Sequence, residues 1–139
     1  MKFSLRQLKT VLLISLVLLM AAPLPASAGF VSSKEGIKYQ TESGDYVTGL
    51  QKINKNLYLF GKDGLMKKGL QKVGGNYYFF DTKTGVLKYG WISSGGKKYF
   101  ADRKTGVLYR SRKVGQYYFG ADCALAAGKA GAEKTAEKT

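Results

Sequence analysis

The sequence predicts an all-β fold, a solenoid of stacked β-hairpins. Three observations carry that expectation. A phrase returns about every twenty residues, each copy places a Tyr/Phe-rich segment ahead of a glycine turn, and no helical spacing of apolar residues occurs between Gly36 and Phe119. A unit of that length cannot bury its apolar face alone, so it stacks on copies of itself and presents an extended surface.

The chain opens with Lys2, Arg6 and Lys9, an apolar run from Val11 to Ala22, and the small-x-small triplet Ala26-Ser27-Ala28. This is the pattern of a cleaved signal peptide over residues 1–28, and it predicts a secreted protein starting at Gly29. The apolar run ends at Pro23 and Pro25; it is shorter than the roughly 20 residues that a bilayer span requires, so no membrane span is expected after cleavage. Residues 29–35 read as a linker.

The repeat domain follows over 36–128. Its turn glycines are Gly44, Gly64, Gly85 and Gly106, spaced by 20, 21 and 21 residues. The full copies are 49–68, 69–89 and 90–110, and each begins with glycine. Partial copies at 36–48 and 111–128 frame them, as end units facing water should differ from the rest. In the last, Cys123 stands where the turn glycine is due. The segment 129–139 lacks large apolar residues and reads as a disordered tail.

Within each copy the aromatic strand is Leu57–Phe60, Tyr77–Phe80 or Lys98–Ala101. An apolar pair follows the turn glycine, and the two are expected to form the hairpin around that glycine. The pairs Gly74-Gly75 and Gly95-Gly96 read as repeat loops. Alternation sends Tyr77 and Phe79 to one face of the strand and Tyr78 and Phe80 to the other. Both faces therefore need a neighbour or form a ring-lined groove, and such grooves hold sugar rings or quaternary ammonium groups.

The chain's formal charge is +14, of which the leader holds three cations and no acid, leaving +11 for the remainder. That excess suits an anionic wall polymer. The lysines spread through every repeat instead of forming one stripe, which argues against nucleic acid. One cysteine permits no intramolecular disulfide. There is no histidine, so His-dependent triads and imidazole metal sites are excluded, and neither cofactor nor metal is expected. Asp63, Asp81 and Asp102 sit at or near equivalent turn positions, where turn geometry accounts for them. The chain reads as a binding protein, not an enzyme.

The spacing of Gly49, Lys52, Gly64 and Met66, with Gly90-Trp91 and the strand before it, resembles the cell-wall-binding repeats of Gram-positive surface proteins. That family includes choline-binding modules, glucan-binding repeats and the carbohydrate-binding repeats of clostridial toxins. The resemblance implies attachment to cell-wall polysaccharide, teichoic acid or glucan, with choline as the alternative ligand and a cell-wall-associated location. Carried over residue by residue, it implies a ligand cage of Tyr77, Phe79, Leu87 and Trp91. A wholly aliphatic equivalent (Leu57, Leu59, Met66, Leu70) would be core. A third, with Lys98, Phe100, Leu108 and Arg112, would suit an anionic ligand. Because only Trp91 supplies tryptophan, glycan binding is favoured over strict choline recognition. The alternatives are choline at the single cage and an adaptor holding anionic polymer through its lysines.

Overall fold

A computed structural model describes residues 27–126. The expected tail and all but the last two residues of the expected leader lie outside them. Among the described residues the fold is all-β, with eleven strands: β1 (Gly29–Ser33), β2 (Gly36–Gln40), β3 (Gly49–Ile53), β4 (Asn56–Phe60), β5 (Met66–Lys67), β6 (Gly69–Val73), β7 (Asn76–Phe80), β8 (Gly90–Ser94), β9 (Lys97–Ala101), β10 (Arg112–Val114) and β11 (Tyr117–Phe119).

They pair as five antiparallel hairpins: β1–β2, β3–β4, β6–β7, β8–β9 and β10–β11. Strand β1 therefore occupies the segment expected as a linker, and the first unit is a complete hairpin.

The hairpins are also placed differently from expectation. The long pairing joins each aromatic strand to the segment before it, across the residues read as loops. At Asn54-Lys55, Gly74-Gly75 and Gly95-Gly96 both turn residues have positive φ. That is the two-residue turn whose twist matches the strands it joins. Counting outward from it fixes the register: Leu50 faces Leu59, Leu70 faces Phe79, and Trp91 faces Phe100. The pairing expected around the turn glycine exists but is short. It comprises β4 with β5 and the single bridges Gln40 to Tyr46, Phe80 to Leu87, Ala101 to Leu108 and Phe119 to Leu125.

That short segment couples neighbouring units. The Leu87 N–H donates to the Leu57 carbonyl at 2.8 Å, Leu108 to Tyr77 at 2.7 Å, and Leu125 to Lys98 at 2.7 Å. Each bond ties the apolar residue after a turn to the strand of the preceding hairpin. A lone hairpin is marginal in water; these ties and the packing below hold the array.

Apolar burial follows the strand alternation. Tyr78 and Phe80 pack with Leu57, Leu59, Val73 and Leu87 in one cluster, whereas Phe79, with Tyr77 against it, joins Ile92, Tyr99, Ala101, Leu108 and Cys123 in another. A third gathers Tyr39, Ile53, Tyr58, Phe60 and Met66. Each hairpin thus buries opposite faces against different neighbours. The last turn carries Cys123 at φ 65 and fully buried; a cysteine fills the left-handed position that glycine holds elsewhere.

Candidate functional site: a ring-lined seam between hairpins

The residue after the leading glycine points outward in each full repeat. Leu50, Leu70 and Trp91 are all exposed, Trp91 by 46%. What surrounds that position differs from seam to seam.

At the seam between the fourth and fifth hairpins it is surrounded by rings. Trp91 lies 5.1 Å from its cross-strand partner Phe100 and 5.0 Å from Tyr117, at interplanar angles of 73° and 75°. Phe119 is 6.1 Å from Trp91 and 5.8 Å from Tyr109, and Tyr109 is 5.1 Å from Phe100. Five rings, four from the two hairpins and Tyr109 from the segment joining them, close on one another, mostly edge to face. They line an open groove of about 520 Å³ with Val114, Gly115 and Gln116. No carboxylate lines it. A smaller groove of about 300 Å³ shares Trp91 and Tyr117 and adds Ser93, Lys98 and Leu125.

Folding logic explains the assembly. The Gly95-Gly96 turn sets Trp91 opposite Phe100, and the bond from the Tyr109 N–H to the Phe100 carbonyl (2.9 Å) lays Tyr109 beside that strand. The bond from Leu125 to Lys98 brings in the next hairpin, whose Tyr117 and Phe119 close the far side.

The first seam repeats the pattern with fewer rings. Phe30, 45% exposed, faces Tyr39 across its hairpin at 5.0 Å and meets Tyr58 of the next hairpin at 5.2 Å. Phe60 lies behind Tyr58 at 6.5 Å. Val47 takes the place that Tyr109 holds in the last seam, since its N–H donates to the Tyr39 carbonyl.

The two middle seams are built otherwise. Leu50 and Leu70 replace the exposed ring, and Lys67 and Lys88 follow the turns. Tyr77 is already covered by the protein's own cations, with the Arg110 guanidinium 4.9 Å and the Lys72 ammonium 5.7 Å from its ring.

The four residues expected as one cage are accordingly spread over different places. Phe79 and Leu87, each only 4% exposed, belong to separate core clusters. Tyr77 lies against the first of these, beneath Arg110 and Lys72. Only Trp91 faces an open groove. Of the candidate anionic-ligand residues, Phe100 is a wall of the five-ring box and Leu108 is core. Arg112 stacks on Tyr109 at 4.6 Å, and Lys98 lines the smaller groove. Among the described residues no group of three or more acids, cysteines or histidines is placed to hold a metal, and no helix is long and apolar enough to cross a membrane.

Residue-by-residue reading missed Tyr109, Tyr117, Phe119 and the Phe30 set. It took the exposed ring from the following unit, whereas the two-residue turn pairs that ring within its own hairpin. The glycine pair at 95–96 was the available signal.

Comparison with known proteins agrees with this architecture. Residues 47–89 match the choline-binding repeat. No curated protein matches the sequence. Among solved structures, choline binding protein F from Streptococcus pneumoniae is 25% identical with a TM-score of 0.65, over 72% of this chain and 34% of its own. CbpJ from the same species shares the fold at 23% identity and a TM-score of 0.64, again over 72% of this chain and 34% of its own. A Streptococcus pneumoniae choline-binding domain is 26% identical with a TM-score of 0.52, over 58% of this chain and 95% of that domain. The chain spans about a third of the length of the first two.

Proposed function

We propose that this chain, whose residues 47–89 match the choline-binding repeat, is a secreted, non-catalytic wall-binding protein whose five-ring box holds a choline-type quaternary ammonium group. The observation carrying this reading is the meeting of Trp91, Phe100, Tyr109, Tyr117 and Phe119 around one open groove. Each ring face presented to a cation contributes about 0.5–2 kcal/mol. The polymer would be one bearing choline, such as a teichoic acid. Choline binding protein F has itself been solved in the presence of a peptidoglycan analogue.

Ring geometry favours an ammonium group over the glycan expected from the sequence. A sugar stacks on one or two flat ring faces, whereas three of the ring pairs lining this groove meet at 73°, 75° and 79°. The Phe30–Tyr39–Tyr58 set supplies a second, weaker position at the opposite end of the array. Two positions on one polymer give avidity that neither alone supplies.

The test is retention of the chain on immobilised choline and on purified choline-bearing walls, challenged with free choline, with salt and with soluble glucan. Release by free choline at constant ionic strength is the expected result. Release by modest salt alone would favour polyanion binding through lysines, and release by glucan alone would favour a glycan ligand.

A further inference from the structure

Two contacts recur at the seams inside the array. One is the bond from the N–H of the residue after a turn to a strand carbonyl of the preceding hairpin: Leu87 to Leu57, Leu108 to Tyr77 and Leu125 to Lys98. The other is packing of the post-turn residue on the turn of the following unit. A Cβ on Gly64 would lie 3.4 Å from Tyr46 Cβ, one on Gly106 would lie 2.9 Å from Leu87 Cδ2, and one on Gly85 would run into the Met66 side chain. Leu108 likewise shares a cluster with Cys123, which holds the last turn.

At the two ends of the array each contact is half made. The accepting residue lies three positions before the bridged strand residue, Tyr77 before Phe80 and Lys98 before Ala101, and in the last hairpin that place is Gln116 before Phe119. Gln116 is exposed, and among the described residues no hydrogen bond reaches its carbonyl. No described unit follows to seat its turn on Leu125. At the other end Tyr46 is the first post-turn residue. Its bridge to Gln40 is made by the flanking bonds, Thr41 N–H to Asp45 and Val47 N–H to Tyr39, so its own N–H points away from its hairpin. No described carbonyl accepts it, and Tyr46 is 47% exposed where Leu87 and Leu108 are 4% and 3%. The first turn is open as well: a Cβ on Gly44 would meet nothing nearer than the Gln40 side chain at 3.9 Å.

The unmatched groups are complementary. The last hairpin offers an acceptor and an apolar side chain, and the first offers a donor and an open turn. Charge runs the same way. Residues 29–48 hold Glu35, Glu42 and Asp45 against Lys34 and Lys38, a net −1, whereas residues 111–126 hold Arg112 and Lys113 against Asp122, a net +1.

We infer that the first hairpin is a docking surface for the last hairpin of a second copy of this chain. Leu125 of one copy seats on the turn at Gly44 of the other, whose Tyr46 N–H reaches the Gln116 carbonyl, so the seam between copies repeats the seams within one. A contact between unlike surfaces leaves a free end on each copy, and it extends into chains where a contact between like surfaces would close as a dimer. Copies in series multiply the ring-lined grooves set along one polymer. The contact itself needs no ligand and does not depend on the choline reading.

Analytical ultracentrifugation of the exported chain, without ligand and over a range of concentrations, tests this. The expected result is an average mass that rises past that of a dimer with concentration and falls with added salt. Tyr46→Lys removes the ring and sets a cation against a basic end; it should weaken association by about tenfold or more, the scale of a lost aromatic anchor. Glu42→Lys, at an exposed turn position, leaves the packing intact and should weaken it by less. Mixing settles the orientation. Tyr46→Lys and Leu125→Asp, each folded by circular dichroism and each monomeric alone, should together give a dimer that grows no further, because each keeps one sound end. A single monomeric species up to millimolar concentration overturns the inference, whether the last hairpin meets solvent or the chain's own residues 127–139. A dimer that stops at two copies, or association that Tyr46→Lys leaves unchanged, overturns it too.

Discussion

Trp91 and Tyr117 stand 5.0 Å apart with their rings at 75°, although they belong to different hairpins and are separated by 26 positions of sequence. Neither hairpin makes the groove alone. The box exists only because stacking is in register, so its integrity reports both fold and function.

Replacing Trp91 with alanine removes an exposed ring from the box and leaves the core clusters intact. Choline affinity should fall by about tenfold or more, in line with one or two lost cation–π contacts. Far-ultraviolet circular dichroism and melting temperature should change little. Global unfolding of the variant would show that the ring is core.

Phe80 is fully buried between the second and third hairpins, among Leu59, Leu87 and Tyr78. Phe80→Ala should destabilise the array by about 3–5 kcal/mol. Thermal or urea unfolding gives the value. A loss below about 1 kcal/mol would contradict close packing at that seam, since exposed sites are where such small effects belong.

Gly106 adopts φ 73, and a Cβ there would lie 2.9 Å from Leu87 Cδ2 of the preceding unit. Alanine at this site combines the left-handed penalty of roughly 1–2 kcal/mol with a clash against a core side chain. The expectation is a destabilisation exceeding that of Lys62→Ala, measured in the same unfolding assay.

The Asp81 carboxylate accepts the Thr84 N–H at 2.8 Å and the Lys83 N–H at 2.9 Å, with Lys88 at 3.4 Å. These bonds, that from Thr84 first, hold its pKa at about 2 against an ordinary 3.8. A lowered folded-state pKa means stability present above the ordinary value and lost as pH falls through the folded one. Part of the acid destabilisation between those two values should therefore vanish in Asp81→Asn. Identical acid titration curves would show that this turn contributes nothing.

The Cys123 thiol is fully buried, and burial pushes its pKa up. In the native chain it should resist thiol reagents at neutral pH and react once the last unit opens. Rapid labelling without denaturant would mean that this end is open in solution.

Much of this arrangement was legible in the sequence. The period of turn glycines identified the units, and the Tyr77–Phe80 alternation required each face to be covered by a neighbour or left as a groove; the structure packs both faces in clusters. The site was less legible because its walls depend on two things that the period does not encode. One is the register set by Gly95-Gly96, which pairs Trp91 with Phe100 and removes Phe79 and Leu87 to the core. The other is the packing of a degenerate fifth hairpin, whose Tyr117 and Phe119 lie off the regular spacing because the link from Arg110 is short. Phe30 was hidden for a simpler reason. It precedes the first recognisable turn glycine, so only strand pairing with Tyr39 reveals its part.

The most direct test of a quaternary-ammonium box at the last seam is a nuclear magnetic resonance titration with choline that follows the Trp91 indole N–H together with the Tyr109 and Tyr117 ring signals. Saturable shifts at these three, with Leu70 and Phe79 unmoved, are the predicted result. Shifts centred on Leu70 and Phe79, or no saturable shift at Trp91, would contradict it.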